Sequence, residues 1–377
     1  MRWMKLAVAV GLLGLWGCAK QEDVIKIGEF ASLTGSTATF GQSSHKGVMM
    51  ALEEVNDKGG VLGKKVQVIV EDDAGKTEET TNAVQKLISR ERVVAVIGEV
   101  ASSRSIVGGN VCEAQRIPMV SPASTNPKVT QGKKWVFRIC FIDTFQGSAM
   151  ATFGIERLKA KTAAVLKDRK NEYSVGLAEF FEKAFTAEAG KILVSESYQE
   201  GDLDFKPQLT KIKSSNPDIV FVPGYYTEVG LVLKQARLEL GMKMPFLGGD
   251  GWDDDGLRKS VKGPIEGDGC YYGNHYSVEE DRPEVKSFVA RFQAKHQETP
   301  DAMAALGYDV MGIVADAIGR AKSTQPEAIR KALEETKGFQ GVTGRITLDK
   351  EHNAVKPLVV LQLKDGKQQF VQAVQPK

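Results

Sequence analysis

Cysteine is scarce in this sequence: four residues in 377, and only Cys112, Cys140 and Cys270 once Cys18 near the start is set aside. Three is an odd number, so at most one intramolecular disulfide can form and a cross-linked scaffold is excluded. Free, buried thiols are expected, with a Cys112–Cys140 bond as the alternative if their Cα atoms come within about 7 Å. Histidine is equally rare, and His45, His275, His296 and His352 are scattered without metal-ligand spacing. There is no phosphate-binding loop and no Gly-x-Ser-x-Gly elbow. Ser43-x-x-Lys46 is a motif fragment at a helix start, without the Lys-Thr-Gly and Ser-Asp-Asn companions such chemistry needs. Asp253-Asp254-Asp255 lacks the regular oxygen spacing of a calcium loop and reads as the acidic first turn of a helix. Asp72-Asp73 reads as strand-end and turn material. No long block of like charge occurs either. Without Arg2 and Lys5 of the leading segment, basic and acidic residues balance at 48 each, which argues against a nucleic-acid partner. Neither catalysis nor a metal or cofactor is expected.

What is present begins with an address. Met1-Arg2-Trp3-Met4-Lys5 precedes an apolar run from Leu6 to Trp16 and then Gly17-Cys18, the layout of a secretory signal peptide. The run falls short of the roughly 20 apolar residues a membrane span needs. Leu15-Trp16-Gly17-Cys18 resembles a bacterial lipobox, which implies loss of residues 1–17 and a lipid on Cys18, the first mature residue. Trp16 departs from that pattern, where a small or β-branched residue is usual. Ordinary secretion with a free Cys18 is the alternative. Either way the folded part is expected in the periplasm or cell envelope. Its 42% hydrophobic and 26% charged content are those of a soluble globular chain.

Apolar strands then alternate with amphipathic helices. Strands are expected at 24–30, 65–70, 93–98, 118–121 and 135–139, with helices at 42–57, 77–90 and from Ser102. After a seam near Phe141-Ile142-Asp143-Thr144 the rhythm restarts, with strands at 162–166, 192–194, 218–222 and 246–248 and helices at 173–189, from Pro207 and at 227–240. Helical patterns return at 283–298, 303–321 and 326–336, and short strand-like segments follow as far as Val371. This alternation predicts an α/β protein of two doubly wound parallel-sheet lobes.

In such sheets ligands bind beyond the carboxyl ends of the strands. Those positions hold Glu99-Val100-Ala101-Ser102-Ser103, Pro122-Ala123-Ser124-Thr125-Asn126, Pro223-Gly224-Tyr225-Tyr226 and Gly249-Asp250-Gly251-Trp252. The first lobe thus offers hydroxyls and helix N–H groups, and the second a carboxylate and aromatics. That division suits an α-amino acid. Its carboxylate would sit at a helix N-terminus, with Ser102 and Thr125 as hydroxyl donors. Its ammonium would pair with Asp250. Plainer readings stay open for each: Ser102 or Ser103 as a cap of its own helix, Asp250 as a turn residue, Tyr225 as core.

From about Val24 to near the C-terminus the chain resembles the branched-chain amino-acid-binding proteins of bacterial ABC importers, the type I periplasmic binding fold. The resemblance rests on Gly59-Gly60-Val61-Leu62-Gly63-Lys64-Lys65, Val96-Ile97-Gly98, Ser121-Pro122-Ala123-Ser124-Thr125-Asn126-Pro127, Gly224-Tyr225 and Gly249-Asp250-Gly251-Trp252 in that order. It implies two lobes joined by three crossovers, here 24–142 with 274–355 and 143–273 with 356–377. It implies a monomeric, lipid-anchored receptor that hands an aliphatic amino acid to a permease and its ATPase. The family's pocket maps onto Phe40, Ser102, Ala123, Ser124, Thr125, Tyr173, Tyr225, Asp250, Gly251, Trp252 and Tyr308, with Asp250 in place of a common Glu. Trp252 is bulky and would narrow the side-chain pocket. Some members carry a disulfide between the loops after the second and third strands; Gly75 and Ala101 stand there, so that bridge is absent. The same trap could serve another small solute, such as an amide, urea or aromatic acid, or a ligand sensor without transport.

Overall fold

The computed structural model describes residues 24–267 and 269–376. The signal peptide read at 1–17 and the lipid site read at Cys18 lie outside them. The first half builds β1 (Ile25–Ala31), α1 (Ala38–Asp57), β2 (Val66–Asp72), α2 (Thr77–Ser89), β3 (Ala95–Ile97), α3 (Ser102–Gln115), β4 (Met119–Ser121) and β5 (Val136–Arg138). Strands β1, β3 and β4 and the edge strand β5 are almost wholly buried, because helices cover both faces of a parallel sheet and leave no place for alternating polar residues. The sheet order is β2-β1-β3-β4-β5, parallel throughout. The order in which strands are added switches from one side of β1 to the other between β2 and β3, which opens a crevice at the carboxyl ends of β1 and β3.

The second unit runs α4 (Asp143–Thr152), β6 (Thr162–Asp168), α5 (Glu172–Ala187), β7 (Lys191–Tyr198), α6 (Lys206–Ser215), β8 (Ile219–Phe221), α7 (Tyr226–Lys234), β9 (Phe246–Gly248), α8 (Asp255–Ser260) and β10 (Cys270–Asn274). The chain then returns to the first sheet's helical layer with α9 (Pro283–His296), α10 (Ala302–Ala321) and α11 (Pro326–Glu334). A short hairpin, β11 (Phe339–Gly341) and β12 (Gly344–Ile346), precedes β13 (Leu358–Lys364) and β14 (Lys367–Val374). The second sheet is ordered β14-β13-β10-β9-β8-β6-β7. It is parallel from β7 to β10, while β13 and β14 join antiparallel at one edge. The chain crosses between the sheets after β5, after β10 and before β13. The result is the two-lobed, doubly wound α/β architecture expected, with a mixed rather than purely parallel second sheet.

Helix α4 occupies the expected seam. Its sequence, DTFQGSAMAT, shows no apolar stripe because it is enclosed by neighbours. An added Cβ on Gly147 would lie 2.7 Å from the Phe180 Cβ and 2.8 Å from the Phe181 backbone N of α5. The α1–α10 pair is as close: a Cβ on Gly47 would come within 1.9 Å of the Ala304 carbonyl, and one on Gly307 within 2.1 Å of the Ser44 carbonyl. Among the described residues α10 is long and apolar enough to cross a membrane, but it is largely buried inside the protein. It is a core helix. Cys112, Cys140 and Cys270 are buried and free.

Candidate functional site

A small cavity lies between the lobes, lined by Phe40, Val100, Ser102, Ala123, Thr125, Tyr173, Tyr225, Asp250, Gly251 and Met303. The first lobe supplies the loop–helix turns that follow β3 and β4. Ser102 opens α3, whose cap position is Ala101 with no side-chain cap. The helix therefore presents backbone N–H groups that have no intrahelical partner. Ser102 Oγ accepts the Asn126 N–H at 3.2 Å, and Ser103 Oγ accepts the Glu172 N–H at 3.1 Å. The serines thus join loops and lobes instead of capping their own helix. Thr125 is buried, and its Oγ1 has no well-aligned partner although it interacts with the Asp143 carboxyl.

The second lobe supplies Tyr173, Tyr225, Asp250 and Gly251. The rings of Tyr173 and Tyr225 stack in parallel at 5.2 Å, and Phe40 of the first lobe meets Tyr225 edge-on at 5.7 Å. Tyr173 Oη accepts the Gly251 N–H at 3.1 Å. Burial pushes both phenols above their usual range, so they remain protonated hydrogen-bond donors. Asp250 is buried. Its Oδ1 accepts from Gln146 Nε2 at 3.0 Å, its N–H donates to Gln146 Oε1 at 2.9 Å, and His275 Nε2 lies 3.0 Å from Oδ2. Gln146 Nε2 also donates to Asp143 Oδ1 at 3.1 Å. Burial, reinforced by the Asp250 charge, pushes the Asp143 carboxyl up to about 8.

Of the residues read from sequence as the pocket, Phe40, Ser102, Ala123, Thr125, Tyr173, Tyr225, Asp250 and Gly251 are brought together. Three are not. Ser124 turns away from the cavity, its Oγ donating to the Glu99 and Val100 carbonyls at 2.9 and 2.8 Å. Trp252 is fully buried in the second lobe's core, its indole N–H donating to the Val222 carbonyl at 2.9 Å. It fills space against Gly248 and does not line the cavity between the lobes. Tyr308 donates to Glu54 at 2.8 Å on the outer side of α1. Val100 and Met303 line the cavity without having been singled out. Val100 lies in the strand-end segment after β3, whereas nothing local marks Met303, which α10 delivers from far downstream.

A buried polar cluster ties together the first lobe's loops after β1, β2 and β3. Glu99 accepts from Ser32 Oγ, from Arg104 Nε at 3.1 Å and from the Ala101 N–H. Arg104 also donates to the Gly75 carbonyl at 3.2 Å and to Thr37 Oγ1 at 2.7 Å. Asp73 accepts from Ser32 Oγ at 3.0 Å and from the Gly75 N–H at 3.0 Å. Non-covalent bonds thus cross between the loops that follow β2 and β3. Of the aspartate triplet, Asp254 caps α8 and Asp255 opens it, in keeping with an acidic first turn. Asp253 instead is buried, accepting from Arg258 at 2.6 Å and from the Ala302 N–H at 2.7 Å. No metal-binding cluster occurs among the described residues.

The lobes are closed on each other. The Ser36 carbonyl accepts from Tyr226 Oη at 3.1 Å and Thr227 Oγ1 at 3.0 Å. Asn126 Nδ2 donates to the Glu172 carbonyl at 2.6 Å, beside an exposed Lys128–Glu172 ion pair at 2.7 Å.

A family model described as "Periplasmic binding protein" matches residues 24–368. A Pseudomonas aeruginosa protein named leucine-, isoleucine-, valine-, threonine- and alanine-binding protein is 30% identical over 93% of this chain and 92% of its own length. A leucine binding protein of Thermotoga maritima superimposes with a TM-score of 0.89 at 38% identity, covering 93% of this chain and 99% of that one. A branched-chain amino acid transporter binding protein of Streptococcus pneumoniae, solved with isoleucine, gives 0.87 at 31% identity, covering 94% and 100%.

Proposed function

The chain belongs to the periplasmic binding protein family, of the branched-chain amino-acid ABC transporter type, and from that premise we propose that it traps an aliphatic α-amino acid between its lobes for delivery to an ABC permease and its ATPase. One observation carries this reading. Among the described residues Asp250 is the one charged group lining the cavity, and the N-terminus of α3 with Ser102 lies across from it on the other lobe. A zwitterion fits that division, its carboxylate toward the helix N–H groups and its ammonium toward Asp250. The remaining walls, Phe40, Val100, Met303 and the stacked tyrosines, suit an aliphatic side chain, worth ~1.5–3 kcal/mol on burial. A charged side chain would lose its water without gaining a partner.

Thermal-shift screening of the common amino acids tests the reading, because a ligand that binds only the native state raises the melting temperature. Leucine, isoleucine, valine or alanine should give the largest shift. A larger shift from glutamate, lysine, an amide or benzoate would replace the amino-acid class by another solute. Asp250→Asn should weaken binding by ~3–5 kcal/mol, the usual cost of leaving a buried charge without its partner; near-normal calorimetric affinity would remove Asp250 from the site. The lobe boundaries are taken as 24–142 with 274–355 and 143–273 with 356–377. Cys18 is taken as the lipidated anchor, since stable attachment needs more than one acyl chain. Cys18→Ser should abolish incorporation of labelled fatty acid and release the protein from membranes. Labelling that persists in that variant would reject the anchor.

A further inference from the structure

The carboxylate assigned to the ligand's ammonium is held from behind by two side chains that belong to the joints between the lobes. Gln146 lies in the first turn of α4, directly after the first crossover, and clamps both the backbone N–H and Oδ1 of Asp250. His275 is the first residue beyond β10, on the second crossover. Its Nε2 meets Oδ2, and its ring stacks at 3.9 Å on Phe141 of the first crossover. We propose that Gln146 and His275 are positioning residues that fix the Asp250 carboxylate for the ligand's ammonium and tie that subsite to the first and second crossovers. This rests on the amino-acid reading above.

A carboxylate offers about four acceptor sites on its two oxygens. Gln146 occupies one on Oδ1 and His275 one on Oδ2, which leaves one on each oxygen for the cavity. A primary ammonium fills both and keeps its third N–H for another acceptor. The short Asp side chain is thereby ordered before the ligand arrives, which removes that ordering cost from binding. His275 brings no charge of its own. Burial lowers its proton affinity, so the ring is neutral and carries one N–H. The Asp250 contact assigns that hydrogen to Nε2, and the buried Nδ1, which has no partner, holds a lone pair. On the far side of Gln146 the Asp143 carboxyl, un-ionised at neutral pH, adds no second negative charge. Arg138 and Lys356 are the basic groups facing this network. Asp253 also faces His275, and Asp250 is the carboxylate that Gln146 and His275 hold toward the cavity.

Calorimetry with leucine, isoleucine, valine and alanine on four variants of the full chain decides the matter. A Gln side chain can place an amide N–H where His275 Nε2 stands, whereas Asn reaches only the Nδ1 position. His275→Ala should weaken binding about tenfold, the loss of one charge-assisted hydrogen bond. His275→Gln should recover most of that and His275→Asn little. Gln146→Glu puts an oxygen opposite Asp250 Oδ1 and Asp143 Oδ1, so its affinity should fall more steeply than the unaltered protein's between pH 5 and 8. If the unaltered protein binds no amino acid, the functional reading fails and the clamp fails with it. Binding by the unaltered protein, with equal Gln and Asn variants and a parallel pH profile for Gln146→Glu, overturns the clamp alone.

Discussion

Asp143 shows how much a single buried acid can bear on stability without touching the cavity. Its carboxyl titrates at about 8 in the folded protein, against an ordinary value of 3.8. Between those limits the folded chain holds a proton that the unfolded chain has released. Stability is therefore fully present below about pH 4 and falls as pH rises through 8. Asp143→Asn supplies a neutral group of the same shape, so its melting temperature should exceed the unaltered protein's at pH 8 and match it near pH 4. A constant offset at both values would count against an un-ionised acid. The same residue marks the reach of sequence reading. Asp250, Ser102 and Thr125 stand at strand ends, where chain order alone brings them to a crevice. Gln146 and His275 matter through Asp250, 104 and 25 residues away, and no local pattern announces such a pairing. Trp252 differs for the opposite reason: it lies two residues from Asp250, but side chains two apart in a tight turn point in different directions, and a large ring finds the core.

At the scale of elements, the strands were readable because helices bury both their faces and force runs such as Ala95–Ile97 and Ile219–Phe221 to be wholly apolar. Expected ends were off by a few residues, and β7 extends to Tyr198 past an expected stop at Val194. Its burial is partial along most of its length, so polar residues interrupt the pattern without ending the strand. Helix α4 was missed because close packing against α5 replaces a hydrophobic stripe with small residues. The loops after β1, β2 and β3 depend on Arg104 as a shared donor. Arg104→Met keeps most of its bulk but leaves the buried Glu99 carboxylate without its cation, a loss expected to cost ~3–5 kcal/mol. Thermal unfolding should register this. Amide exchange should rise first in the loops around Ser32, Gly75 and Ala101, and uniform destabilisation without that localisation would argue against a loop tie.

For the whole molecule, ligand affinity includes the free energy of closing the lobes. Weakening a contact that exists only in the closed form lowers the closed population and raises the apparent Kd by the same factor. Asn126→Ala removes a 2.6 Å bond to the Glu172 carbonyl, worth ~0.5–1.5 kcal/mol, and should weaken binding about two- to tenfold although it makes no proposed ligand contact. Lys128→Ala breaks only an exposed pair, which salt and side-chain entropy leave nearly neutral. Calorimetry beside small-angle scattering separates the two, since Asn126→Ala should also enlarge the ligand-bound particle.

The pairing of α1 with α10 has a consequence for how the chain is made. The two helices touch backbone to backbone at Gly47 and Gly307, yet α10 is synthesised some 250 residues after α1. A growing chain therefore exposes the apolar side of α1, with Val48, Ala51 and Leu52 uncovered, through the whole production of the second lobe. That lobe is incomplete too, because β10 waits for β13 to cover its edge. No prefix of the chain is a finished lobe, so the polypeptide has to be shielded until its final segments emerge. Vectorial synthesis and export must then treat it as one indivisible folding unit, in spite of its two-lobed shape.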